Sequence, residues 1–260
     1  MADAVVTYSR TESIGYITLN RPPANSYEIG FMRDLDAAID AANADAEAKA
    51  VIVKSALDKF FSAGADIKAF MANSTPQNME MVQVAHDALR KIATSSKIFI
   101  AAINGHALGG GMEIALACDL RFAAEGNYRL GLPEATLGLL PGNGGTQRLP
   151  RLIGINKALE LMITGETLVP QQALELGMVN RLFAAESLLE ETEKYAQRLA
   201  SGATMAVAYI KRAVYEGIEK PLDEALALER ELIEPLFNSA DAQEGIAAFV
   251  EKRKPNFQGK

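Results

Sequence analysis

Residues 104–119 read NGHALGGGMEIALACD, and this stretch decides how the chain folds. It follows an apolar, β-branched run at residues 98–103 and passes through three consecutive glycines into an alanine-rich segment with helical periodicity. The pattern predicts a strand, a glycine turn and a buried helix. Glycines let backbone N–H groups approach a ligand closely, and the first turn of a helix adds unpaired N–H donors and the positive end of a dipole. The stretch therefore predicts a site for developing negative charge.

The same stretch carries a carboxylate, Glu113, in the first turn of the predicted helix. Acidic residues favour helix N-termini, which is one explanation for it. However, its neighbours include Met112, Ile114 and Leu116, and a carboxylate in such an apolar segment is costly unless it is paired or functional. We interpret Glu113 as a functional residue.

Composition narrows the class of protein. With 260 residues, of which 49% are hydrophobic and 23% charged, the chain can bury one large core with a smaller appended region. The net charge of −7 and a pI near 5.1 argue against a nucleic-acid-binding surface, which needs clustered Lys and Arg. The single cysteine, Cys118, excludes disulfides within the chain and fits a buried thiol. No leader pattern begins the sequence and no apolar run approaches the roughly 20 residues of a membrane span, so we expect a cytoplasmic protein.

The first half of the chain alternates predicted strands and helices. Residues 5–9 and 14–19 are typical of a β-hairpin, and Ser26 is a candidate cap for a helix over 27–42. Small residues after two aromatics at 60–68 indicate a turn where the backbone comes close to something, although a simple strand-to-helix turn fits equally well. The other predicted elements are a buried strand at 51–53, a mobile polar connection at 71–80 and a helix at 81–92.

The second half begins with a second predicted hairpin, with strands at 120–124 and 128–130, and continues as helices. The hairpin leads to Glu134, which on its own fits a helix N-terminal carboxylate or a surface turn residue. The loop PGNGGT at 141–146 resembles a phosphate loop only in glycine content, because it lacks the Gly-Lys-Ser/Thr ending. A short strand is predicted at 179–183, with helices at 146–164, 170–176, 187–201, 204–217, 222–238 and 240–253.

Five motifs in this order together resemble the enoyl-CoA hydratase/isomerase (crotonase) superfamily, and the chain is most similar to a bacterial-type enoyl-CoA hydratase. They are FSAGADIK at 61–68, GHALGGGME at 105–113, GLPE at 131–134, LPGNGGTQRL at 140–149 and FVEKR at 249–253. The resemblance covers essentially the whole chain. It implies an α/β fold, in which a spiral of ββα units (1–195) is followed by a C-terminal helical trimerisation region (196–260), with trimers pairing into a homohexamer. It also implies an acyl-CoA thioester as the substrate.

The resemblance further assigns the site. The backbone N–H groups of Ala65 and Gly110 would form the oxyanion hole, Glu113 would activate water as the base, and Glu134 would be the acid at Cα. No metal or redox cofactor is needed, and neither His86 nor His106 belongs to a recognisable ligand pair. Phe249 and Lys252 would approach the CoA phosphates of a neighbouring subunit. The expected CoA and substrate contacts are completed by Ala24, Ala63, Ala65, Asp66, Ile67, Lys68 and Gly110.

These assignments predict an enoyl-CoA hydratase of fatty acid β-oxidation, which adds water across the 2,3 double bond of a trans-2-enoyl-CoA to give a 3-hydroxyacyl-CoA. One alternative is another crotonase-type enzyme, an enoyl-CoA isomerase or a specialised hydratase of a branched or cyclic acyl-CoA. Isomerases commonly use a single carboxylate, so two glutamates favour the hydratase. A non-catalytic RNA-binding or structural member of the fold is the other alternative, and the acidic pI argues against it.

Overall fold

The protein, described over residues 4–260 by a computed structural model, begins with the hairpin that the sequence predicts. Its antiparallel strands are β1 (Val6–Thr11) and β2 (Ile14–Leu19). The strands that follow in the described part of the chain are β3 (Ala50–Ser55), β4 (Phe60–Ser62), β5 (Ile98–Ile103), β6 (His106–Leu108), β7 (Leu120–Ala124), β8 (Leu130–Gly131) and β9 (Arg181–Phe183).

Two sheets divide these strands between them. The larger sheet has the order β1-β2-β3-β5-β7-β9, and every neighbouring pair after β1 and β2 is parallel. The smaller sheet has the parallel order β4-β6-β8. Each of β3, β5 and β7 is therefore followed along the chain by a short strand in the other sheet, and the chain then returns through helical segments. This alternation is the repeated ββα spiral that the family resemblance implies, so the predicted α/β class with its ββα spiral is confirmed.

The second predicted hairpin is wrong. The segments at 120–124 and 128–130 do not pair with each other, because β7 lies between β5 and β9 while β8 pairs with β6. The exposed turn Glu125-Gly126-Asn127 instead carries the chain from one sheet to the other. A turn signal between two short apolar runs cannot distinguish a hairpin from such a change of sheet.

The helices of the first half are α1 (Ile29–Ala44), α2 (Ile67–Ala72), α3 (Thr75–Thr94) and α4 (Gly110–Ala117). Glu28, and not Ser26, precedes the first turn of α1. The predicted mobile connection at 71–80 is also wrong, since it contains the end of α2 and the first turns of α3. A Ser74 capping box starts α3 there.

From residue 145 onward the elements of the chain are helices, apart from the short strand β9. The predicted helix at 146–164 is two helices, because Gly154 has a φ of 85° and breaks it. These helices are α5 (Gly145–Ile153), α6 (Ile155–Thr164), α7 (Pro170–Glu175), α8 (Leu188–Ala200), α9 (Thr204–Gly217), α10 (Leu222–Phe237) and α11 (Ala240–Glu251).

The core lies on both faces of the larger sheet. Side chains of α1 and α3 pack on one face, and α8 covers part of the other through Leu188 and Ala196. A buried ion pair attaches α9 to this core: Lys211 Nζ lies 2.9 Å from Asp119 Oδ2 and also donates to the backbone oxygens of Ile92 and Lys97. Among the described residues, none of the helices is both long and apolar enough to cross a bilayer.

Candidate active site

The glycine stretch delivers Glu113 into the middle of the molecule. Strand β6 ends at Leu108, Gly109 adopts a φ of 53°, and α4 begins at Gly110. A Cβ on Gly111 would lie 2.2 Å from the carbonyl oxygen of Ser62, so this close contact with β4 requires glycine. Glu113 then falls in the first turn of α4 with only 1% of its surface exposed.

The loop at 141–145 holds this carboxylate. Glu113 Oε1 accepts hydrogen bonds from the backbone N–H groups of Asn143 and Gly145, both at 2.7 Å. Burial raises the pKa of Glu113, while these two N–H donors and the positive charge of Arg148 oppose the rise. The glycine-rich loop, which resembles a phosphate loop in composition, therefore binds a carboxylate of the protein itself.

Glu134 reaches the same region from the other side. It begins a 3₁₀ turn, Glu134–Leu137, after two residues that follow β8. Its Oε1 lies 3.0 Å from the position that a Cβ on Gly109 would take. Its Oε2 is buried and has no hydrogen-bond partner among the described residues. Burial, together with the negative charge of Glu113, raises the pKa of Glu134 from 4.5 to about 7.

The two predicted oxyanion-hole residues lie on adjacent turns. A Cβ on Gly64, which has a φ of 87°, would lie 2.7 Å from the carbonyl oxygen of Leu108 and 3.3 Å from the amide nitrogen of Gly110. The turn after β4 therefore packs against the turn before α4. Within residues 4–260, neither the N–H of Ala65 nor that of Gly110 has a protein acceptor. The two donors are thus available to a bound group.

A groove that Ala65 helps to line contains most of the predicted CoA contacts. The Ala63 N–H donates to the carbonyl oxygen of Ala24 at 2.9 Å, so the predicted contacts at these two positions are adjacent. Asp66 accepts from the guanidinium of Arg21 at 3.1 Å and caps α2. These hydrogen bonds, from the Ala69 backbone and from Arg21, connect residue 21 to the start of α2, and they lower the pKa of Asp66. The lining residues are Arg21, Pro22, Pro23, Ser26, Ala63, Ala65, Asp66, Ile67 and Lys68.

Phe249 and Lys252 do not join this groove within one chain. Phe249 lies in α11 with 85% of its surface exposed, and Lys252 ends that helix in the left-handed conformation with a φ of 55°. Neither residue lines the groove in the described part of the chain.

The sequence does not reveal the role of Tyr27 or the group that the Asn143 loop binds. The sequence pattern makes Tyr27 the first residue of a predicted helix. In the structure its backbone instead pairs with Gly64 and Asp66, and its hydroxyl accepts from Asn143 Nδ2 at 2.7 Å. No sequence pattern marks Tyr27 as part of a site. The glycine content of 141–145 does mark the loop, but not its ligand.

The two histidines have structural partners. His86 Nε2 is 2.6 Å from the carbonyl oxygen of Gly142, and His106 Nδ1 accepts from the Arg129 N–H at 3.1 Å. Across residues 4–260, no group of three or more His, Cys, Asp or Glu side chains is arranged to hold a metal ion.

Comparisons with known proteins identify the family of this chain. Residues 9–260 match the family model for enoyl-CoA hydratase/isomerase. A crotonyl-CoA hydratase of Syntrophomonas wolfei is 39% identical over the full length of both chains, and a probable enoyl-CoA hydratase of Rhizobium meliloti is 42% identical over 94% of each chain. The crystal structure of an enoyl-CoA hydratase from Geobacillus kaustophilus superposes with a TM-score of 0.96 at 46% identity, covering 100% of this chain and 98% of that one.

The fold is thus that of the crotonase-type α/β enzymes, built from ββα units with the candidate site between two glycine turns. Within that class, the chain belongs to the enoyl-CoA hydratase/isomerase family.

Proposed function

We propose that this protein is an enoyl-CoA hydratase that adds water reversibly to a trans-2-enoyl-CoA and forms a 3-hydroxyacyl-CoA. The observation that carries the proposal is a pair of carboxylates, Glu113 buried and Glu134 half-buried, that differ in their hydrogen-bond partners. Glu113 Oε1 receives two backbone hydrogen bonds, which favour its ionised form, whereas the unpartnered Oε2 of Glu134 favours protonation. Relatives named crotonyl-CoA hydratase and short-chain-enoyl-CoA hydratase, 39% and 36% identical, support the same reaction.

The proton transfers follow from these environments. Glu113 accepts a proton from water as the water oxygen bonds to C3, and the electron pair of the double bond moves into the thioester as an enolate. Glu134 then gives its proton to C2, which restores the thioester carbonyl. The cycle leaves Glu113 protonated and Glu134 ionised, and proton exchange with solvent resets both. A pKa of about 7 for Glu134 suits a group that donates in one direction and accepts in the other.

The negative charge of the enolate needs donors that are already in position. We assign the backbone N–H groups of Ala65 and Gly110 to this role, because they are adjacent and have no acceptor among residues 4–260. One such preorganised donor contributes roughly 3 kcal/mol to the transition state in measured oxyanion holes.

The CoA portion would extend along the groove of Ala63 to Lys68 and meet a second subunit. Phe249 and Lys252 complete this site only if a neighbouring chain supplies them, which is why the proposal includes a trimer or a pair of trimers. Apolar side chains left exposed on the C-terminal helices support association. They include Ile210, Val214, Ile218, Phe237, Phe249 and Val250. We also propose that the protein is cytoplasmic and acts in fatty acid oxidation.

The test is incubation with crotonyl-CoA, followed by loss of enoyl-thioester absorbance and identification of the product by mass. Hydration adds the mass of one water, whereas an isomerase shifts the double bond of a longer enoyl-CoA without any change in mass. Mass gain supports the hydratase. A double-bond shift without mass gain would indicate an enoyl-CoA isomerase instead. Activity on branched or cyclic substrates with none on straight-chain ones would indicate a specialised hydratase. RNA binding by a catalytically inert protein in a gel shift at physiological salt would indicate the non-catalytic alternative.

The CoA contact is tested separately with Lys252→Met. We expect KM for crotonyl-CoA to rise several-fold with little change in kcat, because a lost phosphate contact acts on binding. Lys254→Met, two residues further along an exposed segment, is the matched control. Equal KM values for the two variants would remove Lys252 from the CoA site, and light scattering would report the oligomer independently.

A further inference from the structure

The strongest unassigned feature of the site is the hydroxyl group of Tyr27. Only 6% of the Tyr27 surface is exposed, and its hydroxyl oxygen accepts a hydrogen bond from Asn143 Nδ2 at 2.7 Å. The hydroxyl proton has no acceptor among residues 4–260. A buried donor without a partner costs free energy, so an unused proton at this depth indicates a bound group that accepts it.

The surroundings of this hydroxyl place it beside the reacting groups. A Cβ on Gly110 would lie 2.1 Å from the Tyr27 hydroxyl oxygen and 2.4 Å from Cε1, so the ring lies directly against that glycine. The backbone of Tyr27 binds Gly64 and Asp66, the residues on either side of Ala65. Tyr27 therefore contacts both turns that carry the unpaired N–H donors.

Asn143 links the tyrosine to the base. Its backbone N–H binds Glu113 Oε1, and its side-chain amide binds the Tyr27 hydroxyl. Burial raises the pKa of Tyr27, and the negative charges of Glu113 and, more weakly, of Glu134 raise it further, so the hydroxyl stays protonated and lies within electrostatic range of both carboxylates. The neutral Tyr27 hydroxyl, held beside Glu113, can therefore donate a hydrogen bond to the same substrate oxygen that Glu113 contacts.

We propose that Tyr27 is a third catalytic side chain, whose hydroxyl donates a hydrogen bond to the water that Glu113 activates and hence to the C3 hydroxyl of the product. This inference rests on the proposed hydratase function. In hydration, the bond orients a lone pair of the water toward C3 while its proton faces Glu113. In the reverse reaction, the same bond stabilises the departing oxygen. The thioester oxygen is the competing acceptor, and the shared link through Asn143 to Glu113 favours the oxygen at C3.

The experiment compares two ligands that differ at C3. Binding of 3-hydroxybutyryl-CoA and butyryl-CoA is measured by calorimetry in a Glu134→Gln background, which suppresses turnover, with and without Tyr27→Phe. We expect the substitution to weaken the hydroxylated ligand about tenfold and the saturated ligand less than twofold, since both carry the thioester but only one carries the C3 oxygen. Equal weakening of both ligands, or no change in either, overturns the proposal.

Tyr128→Phe is the matched control, because among residues 4–260 the Tyr128 hydroxyl bonds only to the carbonyl oxygens of Ile103 and Ala124. It should leave the ratio of the two affinities unchanged. If Tyr27→Phe fails to fold, Asn143→Ala is the substitute, because it keeps the tyrosine and both backbone hydrogen bonds to Glu113 but removes the amide that holds the Tyr27 hydroxyl. We then expect the affinity for the hydroxylated ligand, and not that for the saturated one, to fall about threefold. Absence of that selectivity overturns the proposal as well. A wild type that is inert toward crotonyl-CoA would refute the proposed function. The two ligand affinities could still be compared, because binding needs no turnover.

Discussion

Replacing Glu134 by glutamine should make the stability of the protein less sensitive to pH. In the native state, burial and the charge of Glu113 raise the pKa of Glu134 from 4.5 to about 7, so folding favours the protonated carboxyl. This contribution is fully present below about pH 4.5 and is lost as the pH rises through about 7. A glutamine side chain would have no such proton to lose, and it would present a neutral amide at the same position.

The magnitude follows from the pKa change. Each tenfold change in proton affinity corresponds to about 1.4 kcal/mol, so the full effect is about 3 kcal/mol. Glu134 keeps partial contact with solvent, which screens the charge, and we therefore expect about half of this value. Roughly 1 kcal/mol of it should appear between about pH 5.5 and 8.

The assay is urea unfolding of the wild type and of Glu134→Gln at these two pH values. The variant's free energy of unfolding minus that of the wild type should be about 1 kcal/mol larger at about pH 8 than at about pH 5.5, because only the wild type loses stability as the pH rises. Glu186→Gln, on an exposed loop, serves as the control and should show no such difference. Parallel pH dependences for Glu134→Gln and wild type would refute the claim that Glu134 is half-buried beside a second negative charge.

Other substitutions test the oxyanion hole and the buried ion pair. Gly110→Ala would place a Cβ 2.1 Å from the Tyr27 hydroxyl oxygen, and the resulting displacement of the N–H donor should lower kcat by at least about 100-fold. The control, Gly217→Ala in α9, should leave kcat unchanged. Near-normal turnover by Gly110→Ala would exclude the Gly110 N–H from the oxyanion hole. Lys211→Met would leave the Asp119 carboxylate buried without its cation and should lower the free energy of unfolding, measured in urea, by about 3 kcal/mol. The control, Lys157→Met at an exposed ion pair, should not shift the urea midpoint of unfolding. Equal urea midpoints for the two variants would contradict this role of Lys211.

Much of the fold could be predicted because its signals are local. The hairpin of β1 and β2, the strand at β5 and the helix α9 follow from alternation, β-branched runs and helical spacing, and the structure confirms them. The errors occur where local signals are ambiguous. A turn between two short strands does not reveal that the strands enter different sheets, and a polar segment such as 71–80 can be helical when Ser74 and Gln77 form a capping box.

The candidate site is predictable only in part, for a similar reason. Glu113 can be found because a carboxylate in an apolar glycine-rich segment is unusual, whereas Glu134 stands out only through the family motif. The partners of Glu113 are not predictable, since Asn143 and Gly145 contact it across about 30 positions of sequence through backbone N–H groups, which carry no side-chain signature. Tyr27 escapes notice because an aromatic residue before an apolar helix is typical of a core position.

The most direct test of the two-carboxylate account is the turnover of crotonyl-CoA by Glu113→Gln, Glu134→Gln and the double variant. A glutamine side-chain oxygen can accept the same two backbone hydrogen bonds as Glu113, so the site should keep its shape while losing its base. We expect each single substitution to lower kcat by about 10² to 10⁴, and the double variant to lose much less than the product of the two, because base and acid act in one reaction. If either folded single variant retains turnover within about tenfold of the wild type, the paired roles of Glu113 and Glu134 are contradicted.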